Sequence, residues 1–247
     1  MTDNYDRIAR FYDVDMAQNM PFDDIGFYAD LCGQRGGPVL ELGCGNGRIL
    51  LPLLRRGIDA VGIDASTGML SVLRRKAAEQ SLPAPVARMD IRNLALRPGF
   101  AVILCPYSLI TYITEDGAIA QLLERVRRLL VPGGVFVVDA FVPHPVIAQT
   151  DFQPDYRRPC DGLTLARWKR IRPLDGAVNR IERRYQLIDA AGVIVEQIDI
   201  AETIRPVAPD ALRLAVAKAG LRLGQEWWNY GAASGSGQFF TLAAHAP

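Results

Sequence analysis

Val39-Leu40-Glu41-Leu42-Gly43-Cys44-Gly45-Asn46-Gly47-Arg48 is the stretch on which the fold turns. Val39 to Leu42 is a short apolar run and reads as a buried parallel strand. It stops at three glycines on alternate positions. An amphipathic segment follows, with Ile49, Leu50, Leu53 and Leu54 at helical spacing and Gly57 as its stop. Strand, glycine loop and helix together present backbone N–H groups and a helix N-terminus to a ligand. The glycines let the chain turn tightly and lie against that ligand without a Cβ in between. A dinucleotide fingerprint, G-x-G-x-x-G, would put its third glycine at position 48. Arg48 stands there instead, so the pattern is G-x-G-x-G preceded by Glu41.

Ile58 to Ile63 is a second apolar run, and it ends in Asp64. An acid about 20 residues past the loop, at the end of the second strand, can take both hydroxyls of a ribose. The chain here resembles the class I S-adenosylmethionine (AdoMet)-dependent methyltransferases. Glu41 to Gly47 corresponds to their first motif and Gly62-Ile63-Asp64 to their second. The resemblance is closest in kind to small-molecule N-methyltransferases of the glycine and aminosugar type. It implies AdoMet as cofactor and S-adenosylhomocysteine as its product. It also implies a cofactor site made by Tyr5, Glu41, Gly43, Cys44, Gly45, Gly47, Arg48, Asp64, Ala65, Met69, Met89, Asp90, Ile91, Cys105 and Tyr107.

The 247 residues suffice for one large α/β domain or a domain with an insertion. Hydrophobic residues make up 49% and charged residues 22%, an ordinary globular balance that argues against disorder. A net charge of +1 with scattered arginines gives no bulk electrostatic attraction to nucleic acid or to an acidic membrane. No apolar run approaches the ~18 residues of a membrane span. The polar, acidic start of the chain is no signal peptide. Cys32, Cys44, Cys105 and Cys160 form no C-x-x-C pair, which favours reduced thiols in a cytoplasm over disulfides or a zinc site.

Residues 3 to 33 read as two helices, the first with Tyr5, Ile8, Phe11 and Tyr12 on one face, the second opened by Pro21. Ser66 is an N-cap for a helix carrying Met69, Leu70 and Leu73. Val86 to Met89, Phe100 to Cys105 and Gly134 to Phe141 read as the third, fourth and fifth strands. Asp116 to Leu130 is a helix stopped by Pro132-Gly133-Gly134. Beyond residue 145 the α/β alternation lapses. Leu163 to Arg172, Val178 to Ile188 and Val193 to Arg205 read as a three-stranded antiparallel sheet. Turns at Pro173-Leu174-Asp175-Gly176 and Asp189 to Gly192 join them. Ile194, Ile198, Ile200 and Ile204 share one face of the last strand. Pro206 to Gly220 returns as a helix. Leu221 to Trp228 and Phe239 to His245 are the last strands, joined by a mobile Gly/Ser/Ala-rich connection, Asn229 to Gln238.

The expected fold is therefore α/β: a Rossmann-like, seven-stranded mixed sheet with helices on both faces, plus an antiparallel β insertion after the fifth strand. Residues 1–145 and 206–247 form the AdoMet-binding domain. Residues 146–205 form the insertion, an acceptor-site cover, a homodimer face or both. AdoMet brings the hard chemistry, an electrophilic methyl on a cationic sulfur. The acceptor is expected to be a small molecule, methylated on an amine nitrogen with positioning rather than covalent catalysis. Tyr12, Tyr107, Tyr112 and His144 are the candidate catalytic residues. An O- or C-methyltransferase using His144 or Tyr112 as base is the alternative, as is a non-catalytic AdoMet-binding module. Arg167, Lys169, Arg180 and Arg183 in the insertion could hold a carboxylate or phosphate of the acceptor, or could simply form a solvated face.

Overall fold

A computed structural model describes residues 2–174, 177–232 and 237–247. In chain order the strands are β1 (Val39–Leu42), β2 (Ala60–Asp64), β3 (Val86–Arg88), β4 (Phe100–Cys105), β5 (Leu130–Phe141), β6 (Gln153–Cys160), β7 (Leu163–Pro173), β8 (Asn179–Ile188), β9 (Ile194–Ile204), β10 (Arg222–Trp228) and β11 (Phe239–His245). The helices are α1 (Thr2–Ile8), α2 (Tyr12–Met16), α3 (Asp24–Arg35), α4 (Leu50–Arg55), α5 (Thr67–Glu79), α6 (Ala118–Leu129) and α7 (Pro209–Lys218).

One sheet has the order β10-β11-β5-β4-β1-β2-β3. β1 lies between β2 and β4, parallel to both, with Leu40 opposite Val61 on one side and Ile103 on the other. β11 runs antiparallel to β5 and β10, so the sheet is mixed as expected. Both faces are apolar because side chains alternate along each strand. Leu40, Leu42, Ile103, Phe136 and Val138 pack against Leu122, Val126, Leu212 and Val216 of α6 and α7. Their neighbours Val39, Val102, Leu104, Val135 and Val137 pack against Tyr28, Leu53, Leu70 and Leu73 of α3, α4 and α5. Burying each such side chain contributes about 1.5–3 kcal/mol. A parallel sheet covered on both faces is the outcome that continuous apolar strands demand.

β5 begins at Leu130, earlier than expected, because the chain pairs with β4 again as soon as α6 ends. The sequence Pro132-Gly133-Gly134 is therefore carried within the strand, with Gly133 at positive φ. The N-terminal segment is also more broken than two helices. A 3-10 turn, Ala9–Phe11, separates α1 from α2. α1 is tied down both to the core and to the insertion. The Asp6 carboxylate accepts from Ser66 Oγ (2.6 Å) and the Gly68 N–H (2.6 Å) at the start of α5. Asn4 Nδ2 donates to the Ala201 carbonyl of β9 (2.7 Å).

The insertion forms a separate antiparallel sheet of four strands, β6-β7-β8-β9, where three were expected. The strand missed is β6, Gln153–Cys160. Its sequence holds Pro154, Pro159 and three charged residues, which argue against a strand interior but are tolerated at an edge, where β6 lies. The covered face holds Leu165, Tyr185, Ile198 and Ile200 and packs on Ile8 and Phe11. The alternation in β9 holds for Ile198 and Ile200, but Ile194 is exposed because the strand's first residues run past the covering segment. Asp175 and Gly176 of the expected turn, and 233–236 of the expected mobile connection, lie outside the described residues. All four cysteines are buried and free. No described helix is long and apolar enough to cross a membrane.

β2 passes directly beneath the glycine loop. A Cβ at Gly62 would lie 2.7 Å from both Cβ and Sγ of Cys44 and 2.8 Å from Leu50 Cδ2. Gly62→Ala is therefore expected to lower unfolding free energy by about 1–3 kcal/mol, the usual cost of overpacking. Denaturant titration checks this, and an unchanged midpoint would show that the loop has room to yield.

Candidate functional site

The carboxyl ends of β1, β2, β3 and β4 converge on a cavity of about 320 Å³. That is where ligands lie in parallel α/β sheets. Gly43 and Gly45 line it with φ of +66° and +52°. A Cβ at Gly43 would stand 2.6 Å from Leu109 Cδ2 and would sit on a backbone with φ of +66°, so another residue there would be strained and would displace that side chain. The Asp64 carboxylate accepts from the Gly45 N–H (2.9 Å) and the Ser66 N–H (2.8 Å). It thus locks the glycine loop to the end of β2. Burial raises its pKa, and these backbone hydrogen bonds oppose the rise.

Glu41 is buried at the cavity wall, and its Oε2 atom has no hydrogen-bond partner among the described residues. Burial pushes its carboxyl up to about 8, with Arg48 pulling the other way. Arg48 is itself held by Asp24 through two hydrogen bonds of 2.8 and 2.7 Å, and its guanidinium sits 5.3 Å from the centre of the Tyr107 ring. Asp90 also lines the cavity. Its carboxylate is gripped by Arg92 Nε (3.0 Å) and Nη2 (2.6 Å), which hold it below the usual carboxylate range.

Four phenols close the cavity on one side: Tyr5, Tyr12, Tyr107 and Tyr112. The hydroxyls of Tyr5 and Tyr112 hydrogen-bond to each other at 2.9 Å. Tyr5 also makes edge contacts with Tyr12 and Tyr112. The same four rings line a second cavity of about 300 Å³ on their far side. That cavity lies under the covered face of the insertion, with Ile200, Arg167, Lys169 and Arg183 in its wall. Burial raises all four phenols above their usual value, Tyr107 and Tyr112 to about 12. They are neutral hydroxyls at physiological pH.

Most of the residues picked out from the sequence meet at these cavities. Tyr5, Glu41, Gly43, Cys44, Gly45, Arg48, Asp64, Ala65, Met69, Met89, Asp90, Ile91 and Tyr107 line the first, together with Tyr12 and Tyr112. Three do not. Gly47 serves packing: its φ is +87°, and a Cβ there would lie within 3.0 Å of Leu51 and Leu73. Cys105 points into the apolar layer beneath α6. His144 is exposed and lines neither of these two cavities, because the chain leaves the sheet immediately after Phe141.

The residue missed is Asp139 of β5. It is fully buried, and its carboxylate accepts from Tyr28 Oη (2.5 Å), Tyr230 Oη (2.8 Å), the Tyr107 N–H (2.9 Å) and the Ser108 N–H (2.6 Å). Tyr107 and Ser108 both have positive φ, +55° and +57°. Two consecutive non-glycine residues seldom stay there unless held. The lone acid in the apolar run Val135 to Phe141 was the available sequence signal.

Residues 39–134 match a family described as a methyltransferase domain. A putative methyltransferase of Bacillus subtilis strain 168, YqeM, is 29% identical over 137 residues, 55% of this chain and 54% of that protein. A ubiquinone biosynthesis O-methyltransferase of Alkalilimnicola ehrlichii is 25% identical over 184 residues, 66% of this chain and 73% of that protein. The chain spans about half the length or less of the first two curated relatives it matches. Among solved structures, the CcbJ methyltransferase of Streptomyces caelestis superposes with a TM-score of 0.80 at 23% identity over 98% of both chains. DesVI of Streptomyces venezuelae gives 0.72 at 22% identity, covering 97% of this chain and 96% of that one. At these identities the structural likeness is one of fold.

Glu41 provides a test of the site's electrostatics. Its folded pKa of about 8 lies above the ordinary 4.5. Between those values the folded chain takes up a proton that the unfolded chain releases. Stability from this group is therefore present below pH 4.5 and is lost as pH rises towards 8. The neutral Glu41→Gln variant is expected to lose less melting temperature than the parent between pH 5 and pH 9 (roughly the window flanking both values). Identical slopes in thermal denaturation would contradict this.

Proposed function

We propose that this chain, which carries a methyltransferase domain on the class I AdoMet-dependent fold, transfers a methyl group from AdoMet to an amine nitrogen of a small molecule. The observation that carries the reading is the shared collar: Tyr5, Tyr12, Tyr107 and Tyr112 line both cavities. The cavity at the glycine loop is read as the cofactor site and the one under the insertion as the acceptor site.

The donor set suits AdoMet. A ligand with amino and ribose hydroxyl donors matches the buried, unpartnered carboxyl oxygen of Glu41 and the Asp64 carboxylate. When bound, AdoMet supplies an electrophilic methyl on a cationic sulfur. The glycine loop and Asp64 hold the nucleoside end, and Glu41 offers its unpartnered oxygen to a donor there. The tyrosine collar aligns the two reactants and excludes water. Such positioning can supply as much as about 7–11 kcal/mol of the barrier reduction. The ring faces and neutral hydroxyls of the collar also favour an acceptor that becomes cationic as the methyl arrives.

Nitrogen is favoured over oxygen or carbon by the protonation states. A hydroxyl or carbon acid needs a base, whereas a neutral amine needs little help. Tyr112 is pushed to about 12 by burial, and His144 is away from both cavities. The two carboxylates in the second cavity, Asp15 and Asp155, are both engaged by Arg167. Ubiquinone biosynthesis O-methyltransferases are among the relatives matched. The O- and N-readings are therefore separated by kinetics. The N-terminal segment and the insertion are read as covers of the reacting pair, and the insertion's outer face as a candidate homodimer surface.

Calorimetry should show AdoMet binding and no NAD binding. Asp64→Ala should weaken AdoMet by about 1–3 kcal/mol, since ribose hydroxyls lose a charged acceptor. Unchanged affinity in that variant would contradict the cofactor site. In a turnover screen read as a mass gain of one CH₂, kcat/KM should rise with pH up to the acceptor amine's own pKa. His144→Ala should cost less than roughly tenfold, whereas a loss of about 10²–10⁴, typical of a missing general base, would point to oxygen or carbon.

A further inference from the structure

The second cavity contains one ammonium that makes no ion pair among the described residues. Arg167, Lys169 and Arg183 all face it from β7 and β8. Arg167 pairs with both Asp15 and Asp155, and Arg183 pairs with the buried Glu202. Among the described residues, the Lys169 ammonium has no hydrogen-bond or ion-pair partner. Its surroundings should disfavour it. Lys169 stands directly opposite Arg183 in the β7–β8 register and opposite the uncharged Gln153 in β6. Arg167 lies two residues earlier, on the same face. Like charges directly across a sheet are destabilising. Lys169 is thus the cation of this wall that lacks a carboxylate in ion-pair contact among the described residues, and an anion entering the cavity would supply one.

Arg180 does not belong to this group. It lies on the other face of the sheet, where Glu182 also pairs with Arg170 and Arg172. On that outer face Glu182 is shared by three arginines, whereas on the inner face Lys169 is the cation with no carboxylate in ion-pair contact among the described residues. The remaining wall near Lys169 includes Ile8, Met16, Phe141 and Ile200, which suits a carbon frame between two polar ends.

We propose that Lys169 is the anchor of an anion subsite: the acceptor carries a carboxylate or phosphate that Lys169 Nζ binds, while its amine lies at the tyrosine collar. This rests on the assignment of the second cavity as the acceptor site. The acceptor is then a small amine that also bears an acid group. Bound this way it is held at both ends, and charge-assisted hydrogen bonds to the anion fix its orientation.

The test uses the full chain loaded with S-adenosylhomocysteine, titrated in a calorimeter with inorganic phosphate and, separately, with acetate. Saturable binding of either is expected, and the stronger of the two identifies phosphate or carboxylate as the group accommodated. Lys169→Met should weaken that anion by at least about tenfold, and Lys169→Arg should retain most of the affinity. Lys218→Met, an exposed site on α7, should have no effect. S-adenosylhomocysteine affinity should stay the same in all three variants. Failure of both anions to bind, or parental anion affinity in Lys169→Met, would overturn the subsite. If the parent does not take up S-adenosylhomocysteine, the methyl-transfer reading fails. The same anion titrations on the ligand-free chain then still decide the role of Lys169.

Discussion

The site depends on one buried carboxylate accepting four hydrogen bonds. Asp139, in the middle of the sheet, joins α3 through Tyr28, the 3-10 turn after β10 through Tyr230, and the loop after β4 through two backbone N–H groups. A charge in such a place is tolerable only when its lone pairs are filled. Burial raises its pKa, and all four donors resist that rise. What the arrangement secures is the left-handed pair Tyr107 and Ser108. Ser108 in turn accepts the Phe141 N–H (2.7 Å), tying the end of β5 to the same loop. Tyr107 is thereby aimed into the gap between the two cavities. Its ring is further fixed by the Arg48 guanidinium, which Asp24 holds.

The second constraint is the join between the core, the N-terminal segment and the insertion. Asp6 fills the N-terminus of α5. Asp15 of α2 gathers Arg167, Tyr156 and Tyr185 from the insertion. The N-terminal segment therefore lies between the parallel sheet and the antiparallel one, and the tyrosine collar is formed where it crosses. Tyr5 and Tyr12 come from this segment, whereas Tyr107 and Tyr112 come from the loop after β4. Half of the wall between the two cavities, Tyr5 and Tyr12, thus depends on the docking of the N-terminal segment on the core.

The parallel core was legible because its physics is local. Apolar runs of strand length, glycines in the tight loop and helix stops all leave marks in the sequence. Phe100–Cys105 and Phe239–His245 match their expected limits. What was hidden depended on distant partners. β6 is a strand because β7 offers it an edge, and its prolines conceal it. Cys105 and Gly47 occur in the right segments, but the direction of the first and the packing of the second are set by α6, Leu51 and Leu73. His144 is drawn away because the chain departs from the sheet there. Asp139 carried a visible signal, a lone acid in an apolar strand. Its four donors come from positions 28, 107, 108 and 230, a grouping that no local pattern reveals.

The central claim is that the methyl group crosses the tyrosine collar from one cavity to the other. A crystal structure of the chain with S-adenosylhomocysteine tests it most directly. The account predicts the nucleoside between Asp64 and Asp90 and the sulfur beside Tyr12, Tyr107 and Tyr112, facing the cavity under the insertion. A sulfur directed away from that collar, or a ligand bound elsewhere on the chain, would contradict it.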